Sequence, residues 1–182
     1  MPQKPDAILP QTSQEIVKNN NIKESTNMLE SEIKAQGSKV DIAIPKEKDF
    51  KTLKLESESY LNSLKDTTIT NKETGMQATI ARKGTKEIIS NVKKSVANGF
   101  SFNEHFAVAN NLKEVFENAN FAKKLSDTKH NDPRVSIYRF NSAIILNGKE
   151  ANALITLKEY LENGKRLYAL ELEKLSKAKF IP

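Results

Sequence analysis

Arg139, Thr156 and Glu171 are separated in the chain but fall into one row across three strands once two Asn-Gly turns are folded. Asn147-Gly148 and Asn163-Gly164 separate the runs VSIYRFNSAIIL, EANALITLKEY and RLYALELEKL, and Asn-Gly between alternating hydrophobics is the strongest short-range hairpin signal. A two-residue turn fixes the register. Leu146 against Lys149 sets Arg139 opposite Thr156 and Ile137 opposite Lys158. Glu162 against Lys165 sets Thr156 opposite Glu171 and Lys158 opposite Ala169. One face of the meander then carries Tyr138, Phe140, Ile144, Ala153, Ile155, Leu157, Tyr168, Leu170 and Leu172, the expected core face. The other carries Arg139, Asn141, Asn152, Thr156, Lys158, Glu171 and Glu173.

The chemistry open to the polar row is phosphodiester cleavage. Attack by an RNA 2′-hydroxyl needs a base, an acid and a cation for the developing phosphorane charge, and no metal. Glu171 is the candidate base, Arg139 a bidentate phosphate clamp and Thr156 a hydroxyl donor, with Lys158 alongside. His105 is the candidate acid, although it sits on or beside the apolar stripe of its helix, where a histidine is ordinarily buried and hydrogen-bonded. His130, in a polar linker ahead of the first strand of the meander, reaches the row more easily. Arg82 and Lys83, followed by Lys86, Lys93 and Lys94, form a basic stretch suited to phosphates. The plainer alternative is a solvated sheet face whose diagonal ion pair contributes less than ~1 kcal/mol. A one-residue bulge would dismantle the row.

Composition closes off other chemistries. The chain has 182 residues and no Cys, so disulfide scaffolds, Cys-ligated metals and thiol nucleophiles are excluded. Two His exclude a three-His metal site. Glu171 and Glu173 share a face without an Asp to join them, and no metal or other cofactor is expected. The six Gly are scattered as turn residues, with no phosphate-cradling loop and no nucleophile elbow. No apolar run approaches the roughly 18 residues of a membrane span, so no membrane partner is expected. The formal net charge is +6, all of it beyond residue 50, which favours anionic partners such as nucleic acid.

The elements that must position these residues are readable in outline. Residues 1–12 are Pro-rich and expected to be disordered. Residues 13–66 are expected to form a helical arm, with one stripe through Ile22, Thr26, Leu29 and Ile33 and another through Phe50, Leu53, Tyr60, Leu61 and Leu64. VDIAIP between them reads as a short strand or extended linker. TTITNKETGMQATIA reads as two short strands around Asn71–Gly75. Thr85 is expected to cap a helix carrying Ile88, Ile89, Val92 and Val96, closed by Gly99. Ser101-Phe-Asn-Glu104 is a capping box for a helix through Val108, Leu112, Val115 and Phe116, followed by a polar linker from Ser126 to Arg134. The fold class is therefore α+β, with N-terminal helices and then helices packed on an antiparallel meander.

The stretches 71-NKETGMQATI-80, 104-EHFAVANNLKEVFENA-119 and RFNSAIILNGKEANALITLKEYLENGKRLYALEL resemble the large polyvalent protein-associated domains of phage and mobile elements. They also resemble the related phage nucleases of the barnase–EndoU–colicin–RelE type. The resemblance spans roughly residues 69–175. It implies an α+β fold and metal-independent RNA cleavage in toxins or in proteins injected with mobile DNA. Thr74, Gly75, His105, Thr156, Lys158 and Tyr168 correspond to recurring motif positions.

Together these readings give a nuclease-like domain over residues 67–178, expected to act as a ribonuclease-like toxin or effector encoded on a bacterial mobile element. Its expected catalytic residues are His105, Arg139, Thr156 and Glu171, and Arg82, Lys83, Lys158 and Tyr168 are expected to contact nucleic acid, in the first place RNA. The expected location is the bacterial cytoplasm, including that of a recipient cell. The alternative is a non-catalytic module or adaptor that binds nucleic acid or protein, with the N-terminal helices docking a protein partner.

Overall fold

Asn147 and Asn163 adopt φ values of 46° and 52°, and the glycines after them 84° and 75°. Positive φ at both central residues is the type I′ geometry, whose twist matches that of the strands it joins. The expected registers follow, with Arg139 opposite Thr156, Thr156 opposite Glu171 and Lys158 between Ile137 and Ala169.

The computed structural model describes residues 39–178. In chain order they form β1 (Val40–Ile42), α1 (Phe50–Ser63), β2 (Ile69–Thr70), β3 (Gln77–Ala78), α2 (Arg82–Ser90), α3 (Val92–Ala97), α4 (Phe102–Ala109), α5 (Leu112–Glu117), β4 (Asn120–Asp127), β5 (Asp132–Leu146), β6 (Lys149–Glu162) and β7 (Lys165–Lys177). The class is α+β. The expected tail at 1–12 and the helix stripe from Ile22 to Ile33 lie outside the described residues.

The sheet is larger than the meander. β4 pairs antiparallel with one end of β5, and β1 pairs parallel with the other end, on the edge that β6 leaves free. The sheet is therefore mixed, where the sequence suggested an antiparallel one. β4 lies mostly ahead of the expected polar linker and takes in only its first two residues, Ser126 and Asp127. Its Lys123-Lys124 pair hides the alternation, and lysine is a residue that protects exposed strand edges. The boundary expected at 66/67 does not divide the structure either. β1 is a strand of the main sheet, and Leu61 of α1 lies in the main core with Val108, Leu112, Phe116, Phe140 and Ile155.

Side-chain caps start two of the five helices. Asp49 caps α1 by accepting from the Thr52 amide at 2.9 Å, and Ser101 and Glu104 form the expected capping box on α4. Thr85 does not cap α2. It lies inside the helix, which starts at Arg82 after Ala81 without a side-chain cap. The helix expected to run through Val96 is also interrupted, at Asn91, which separates α2 from α3.

The reason for that break lies on the outer edge of β7. An edge strand presents unpaired N–H and C=O groups, and buried ones must find partners. Thr79 accepts from Leu170 N–H and donates its own N–H to the Tyr168 carbonyl, both at 3.0 Å. Asn91 donates its side-chain amide to the Leu172 carbonyl at 3.0 Å, and Asn98 does the same for Leu175 at 2.8 Å. Ser95 Oγ accepts from the Leu175 amide at 2.9 Å and lies 2.7 Å from His105 Nδ1, while His105 Nε2 lies 2.9 Å from the Ile88 carbonyl. A carbonyl only accepts, so Nε2 carries the proton and Nδ1 accepts from the Ser95 hydroxyl. His105 is thus a neutral, buried ring joining α2, α3 and α4.

Two outcomes follow. Asn91→Ala leaves the Leu172 carbonyl without a partner and should lower the unfolding free energy by about 1–3 kcal/mol in urea titration, whereas Lys93→Ala, on the exposed side, should change little. Burial lowers the His105 pKa from 6.5 to about 4. The unfolded chain therefore binds a proton that the folded one refuses, and stability falls as pH drops from 6.5 towards 4, by roughly 3 kcal/mol in all. Urea midpoints across this range should slope in the parent and flatten between pH 6.5 and 5 in His105→Gln, which should also be less stable at pH 7.

Candidate functional site on the open face of the sheet

Strand alternation sends Phe140, Ile155, Leu157, Leu170 and Leu172 towards the helices and Lys123, Arg139, Thr156 and Glu171 to the opposite face, in one row across β4–β7. A bulge does occur in β7, but one step past the row. Leu154 pairs with Lys174 and Ile155 with Leu172, which leaves Glu173 as the extra residue. Leu172 and Leu175 can then both face the core.

The bulge changes the partners. Arg139 forms its ion pair with Glu173, where the diagonal partner expected from the register was Glu171. Arg139 Nη1 donates to Thr156 Oγ1 at 2.7 Å, and that hydroxyl donates to Glu173 Oε2 at 2.8 Å. Glu171 instead accepts from Lys158 Nζ, at 3.2 and 3.1 Å from its two oxygens. Lys94, projecting from α3, lies 3.6 Å from Glu173 Oε1. Thr156 and Glu171 are only 3% and 6% exposed, so this row is far less solvated than a surface ion pair.

Burial sets the electrostatics. It raises the Glu171 carboxyl above the ordinary glutamate value, against the opposing pull of Lys158, and Glu87 of α2 raises it further. Burial also lowers the Lys94 ammonium, and repulsion from Arg139 and from Lys129 in the β4–β5 turn adds to this. The Arg139 guanidinium is lowered by burial and held up by the charge of Glu171. The arrangement joins a carboxylate inclined to hold a proton, an ammonium inclined to release one, and a guanidinium with an adjacent hydroxyl.

The remaining candidates are placed differently. His105 is not part of this face, because its ring is buried among the helices and both nitrogens are engaged there. Tyr168 does not reach it either; it lies on the covered face, packed against the core. Arg82 and Lys83 are exposed on the first turn of α2, and the charge of Lys83 is felt by Glu171. His130 sits in the β4–β5 turn with Nδ1 3.3 Å from Asp127 Oδ2. Lys94 was readable only as part of the basic stretch and Lys129 not at all, since only the packing of α3 and the path of the turn bring them together. Among the described residues, no group of three or more His, Cys, Asp and Glu converges to hold a metal ion. No helix among them is long and apolar enough to cross a membrane.

The model of one protein family, large polyvalent protein-associated domain 3, matches residues 48–168. The matched span runs from just before α1 into β7 and includes Arg139 and Thr156 but stops short of Glu171 and Glu173. No curated protein and no solved structure matches the chain. With more than half of its length matched, the chain belongs to the large polyvalent protein-associated domain 3 family.

Proposed function

We propose that the open sheet face binds RNA and cleaves it without a metal, as an effector domain of a phage or bacterial mobile element acting in the bacterial cytoplasm. The observation that carries this reading is the nearly buried Glu171, raised by burial and set among Lys158, Arg139 and Lys94 on the side of the sheet opposite the main core. Ionised groups are costly to bury, and pKa values pushed in opposite directions are the usual mark of an acid–base pair. In the reaction, Glu171 takes the 2′-hydroxyl proton as that oxygen attacks phosphorus. Arg139, Lys158 and the Thr156 hydroxyl hold the developing phosphorane charge. The bond to the 5′-oxygen breaks, Lys94 protonates that oxygen, and a 2′,3′-cyclic phosphate remains. Arg82 and Lys83 extend the cationic surface along the strand of phosphates.

One observation favours the second reading, a module that binds nucleic acid or protein without catalysis. Arg139 and Glu173 are already paired, as are Lys158 and Glu171, so the charges are satisfied before any ligand arrives.

The full-length protein incubated with total RNA in excess EDTA separates the two. Cleavage yielding 2′,3′-cyclic ends is expected for the parent, falling at least a hundredfold in Arg139→Ala and Glu171→Gln. Glu171→Gln should also be no less stable than the parent at pH 7. A carboxyl whose pKa is raised on folding loses stability as pH rises through that pKa, and glutamine does not ionise. Intact RNA with all three proteins folded would leave the binding module as the function.

A further inference from the structure

The open face is not polar throughout. One register step beyond the ionic row, towards the β6–β7 turn, Leu125 of β4 lies opposite Ile137 of β5, and Ile137 lies opposite Lys158 of β6. The next open-face position along β6 is Tyr160, which pairs with Leu167 of β7. Glu159, between Lys158 and Tyr160, turns to the covered side, where Tyr138 donates its hydroxyl to it at 2.7 Å. Tyr160 and Lys158 therefore share the open face, about 6.6 Å apart along the strand. Leu125 and Leu167 are 37% and 36% exposed, and Ile137 and Tyr160 are half-buried.

Single exposed apolar residues are ordinary, but four contributed by four adjacent strands to one solvent-facing surface form a contiguous shelf. Its border is cationic. Lys123 and Arg139 lie in the adjoining row, Lys158 stands beside Ile137, and Lys94 lies behind, against Glu173 and near enough to Lys129 to be repelled by it. An excess of positive charge beside an aromatic shelf fits a ligand with an anionic backbone and flat apolar faces. Single-stranded RNA has that chemistry, with phosphates for the cations and unstacked bases for the ring.

We propose that Tyr160, flanked by Ile137, Leu125 and Leu167, is a nucleobase subsite that stacks the base next to the phosphate held by Arg139 and Lys158. This rests on reading the open face as an RNA site and adds to it a requirement for unpaired bases. A duplex, whose bases are stacked on one another, cannot meet that requirement. The contact is to a base face, so every base qualifies and sequence preference is weak.

The test uses fluorescence anisotropy with two labelled oligomers of equal length and charge, read on the full chain. One is single-stranded 2′-O-methyl RNA, which cannot be cleaved because its 2′-oxygen is blocked. The other is its abasic counterpart. The parent is expected to bind the base-bearing oligomer more tightly. Tyr160→Ala should weaken that binding about tenfold, equivalent to ~1.4 kcal/mol, and leave the abasic oligomer unchanged. Tyr160→Phe should match the parent, which also controls for folding, and Arg139→Ala should weaken both oligomers. Equal loss on both oligomers in Tyr160→Ala, no loss on either, or no binding by the parent overturns the subsite. A parent that sediments as a dimer, becoming a monomer in Tyr160→Ala, overturns it in favour of a second copy of the chain. Base-dependent binding without RNA cleavage in the EDTA assay supports the subsite and refutes only the catalytic reading.

Discussion

The outer edge of β7 is the constraint around which the helical layer is arranged. A strand end-paired on one side only cannot be buried under helices unless its free amides and carbonyls are met individually. Here Thr79 serves the first turn of that edge with its backbone, and Asn91, Ser95 and Asn98 serve the rest with side chains. The spacing of these polar residues forces a break in what would otherwise be one amphipathic helix. Gly84 completes the fit: a Cβ there would stand 3.0 Å from the Leu170 carbonyl, so α2 comes close to the strand only because that position has none. His105 then ties Ser95 to Ile88 and fixes the angle between successive helices.

By holding α3 against β7, the same edge brings Lys94 round to the open face. The site is thus built from both layers, with the sheet supplying Arg139, Thr156, Glu171 and Glu173 and the helices supplying Lys94, Lys83 and Glu87. Arg139 and Lys158 are already paired, with Glu173 and Glu171, without a ligand. Any anion that binds must displace Glu173 from Arg139 or occupy the outer side of the guanidinium and ammonium groups. Either way, affinity depends on desolvating groups that are already half removed from water.

What the sequence disclosed was local. Asn-Gly turns carry their own geometry, so the two registers joining three strands and the Arg139–Thr156–Glu171 row were readable from the chain, as were the capping box at Ser101 and the turn at Gly99. What it concealed depends on distant partners. β1 has strand character, but its parallel pairing with β5 is not written in any nearby residue. The bulge at Glu173 reassigns the partner of Arg139, and its one trace in LELEKL is the shift of apolar parity from Leu170 and Leu172 to Leu175. His105 lies on an apolar stripe, and no stripe shows whether a histidine there seals a core or faces a substrate. Tyr160 and Tyr168 differ only in parity relative to the turn: the even-numbered step on β6 faces out and the one on β7 faces in.

β1 has a consequence for the order in which the domain assembles and opens. Its ladder is three residues long, and the bond from the Ile44 amide to the Asn147 side chain spans 103 positions of chain. Closing so long a loop is entropically unfavourable and is repaid by few contacts, so β1 docks after the meander and its helices have formed. For the same reason its amides should exchange with solvent through a local opening that leaves the meander intact. Because β1 borders β5 at the end remote from the ionic row, it can detach and return while that row stays assembled. Tension applied to the chain upstream of Lys39 is therefore absorbed by a replaceable strand before it reaches the site.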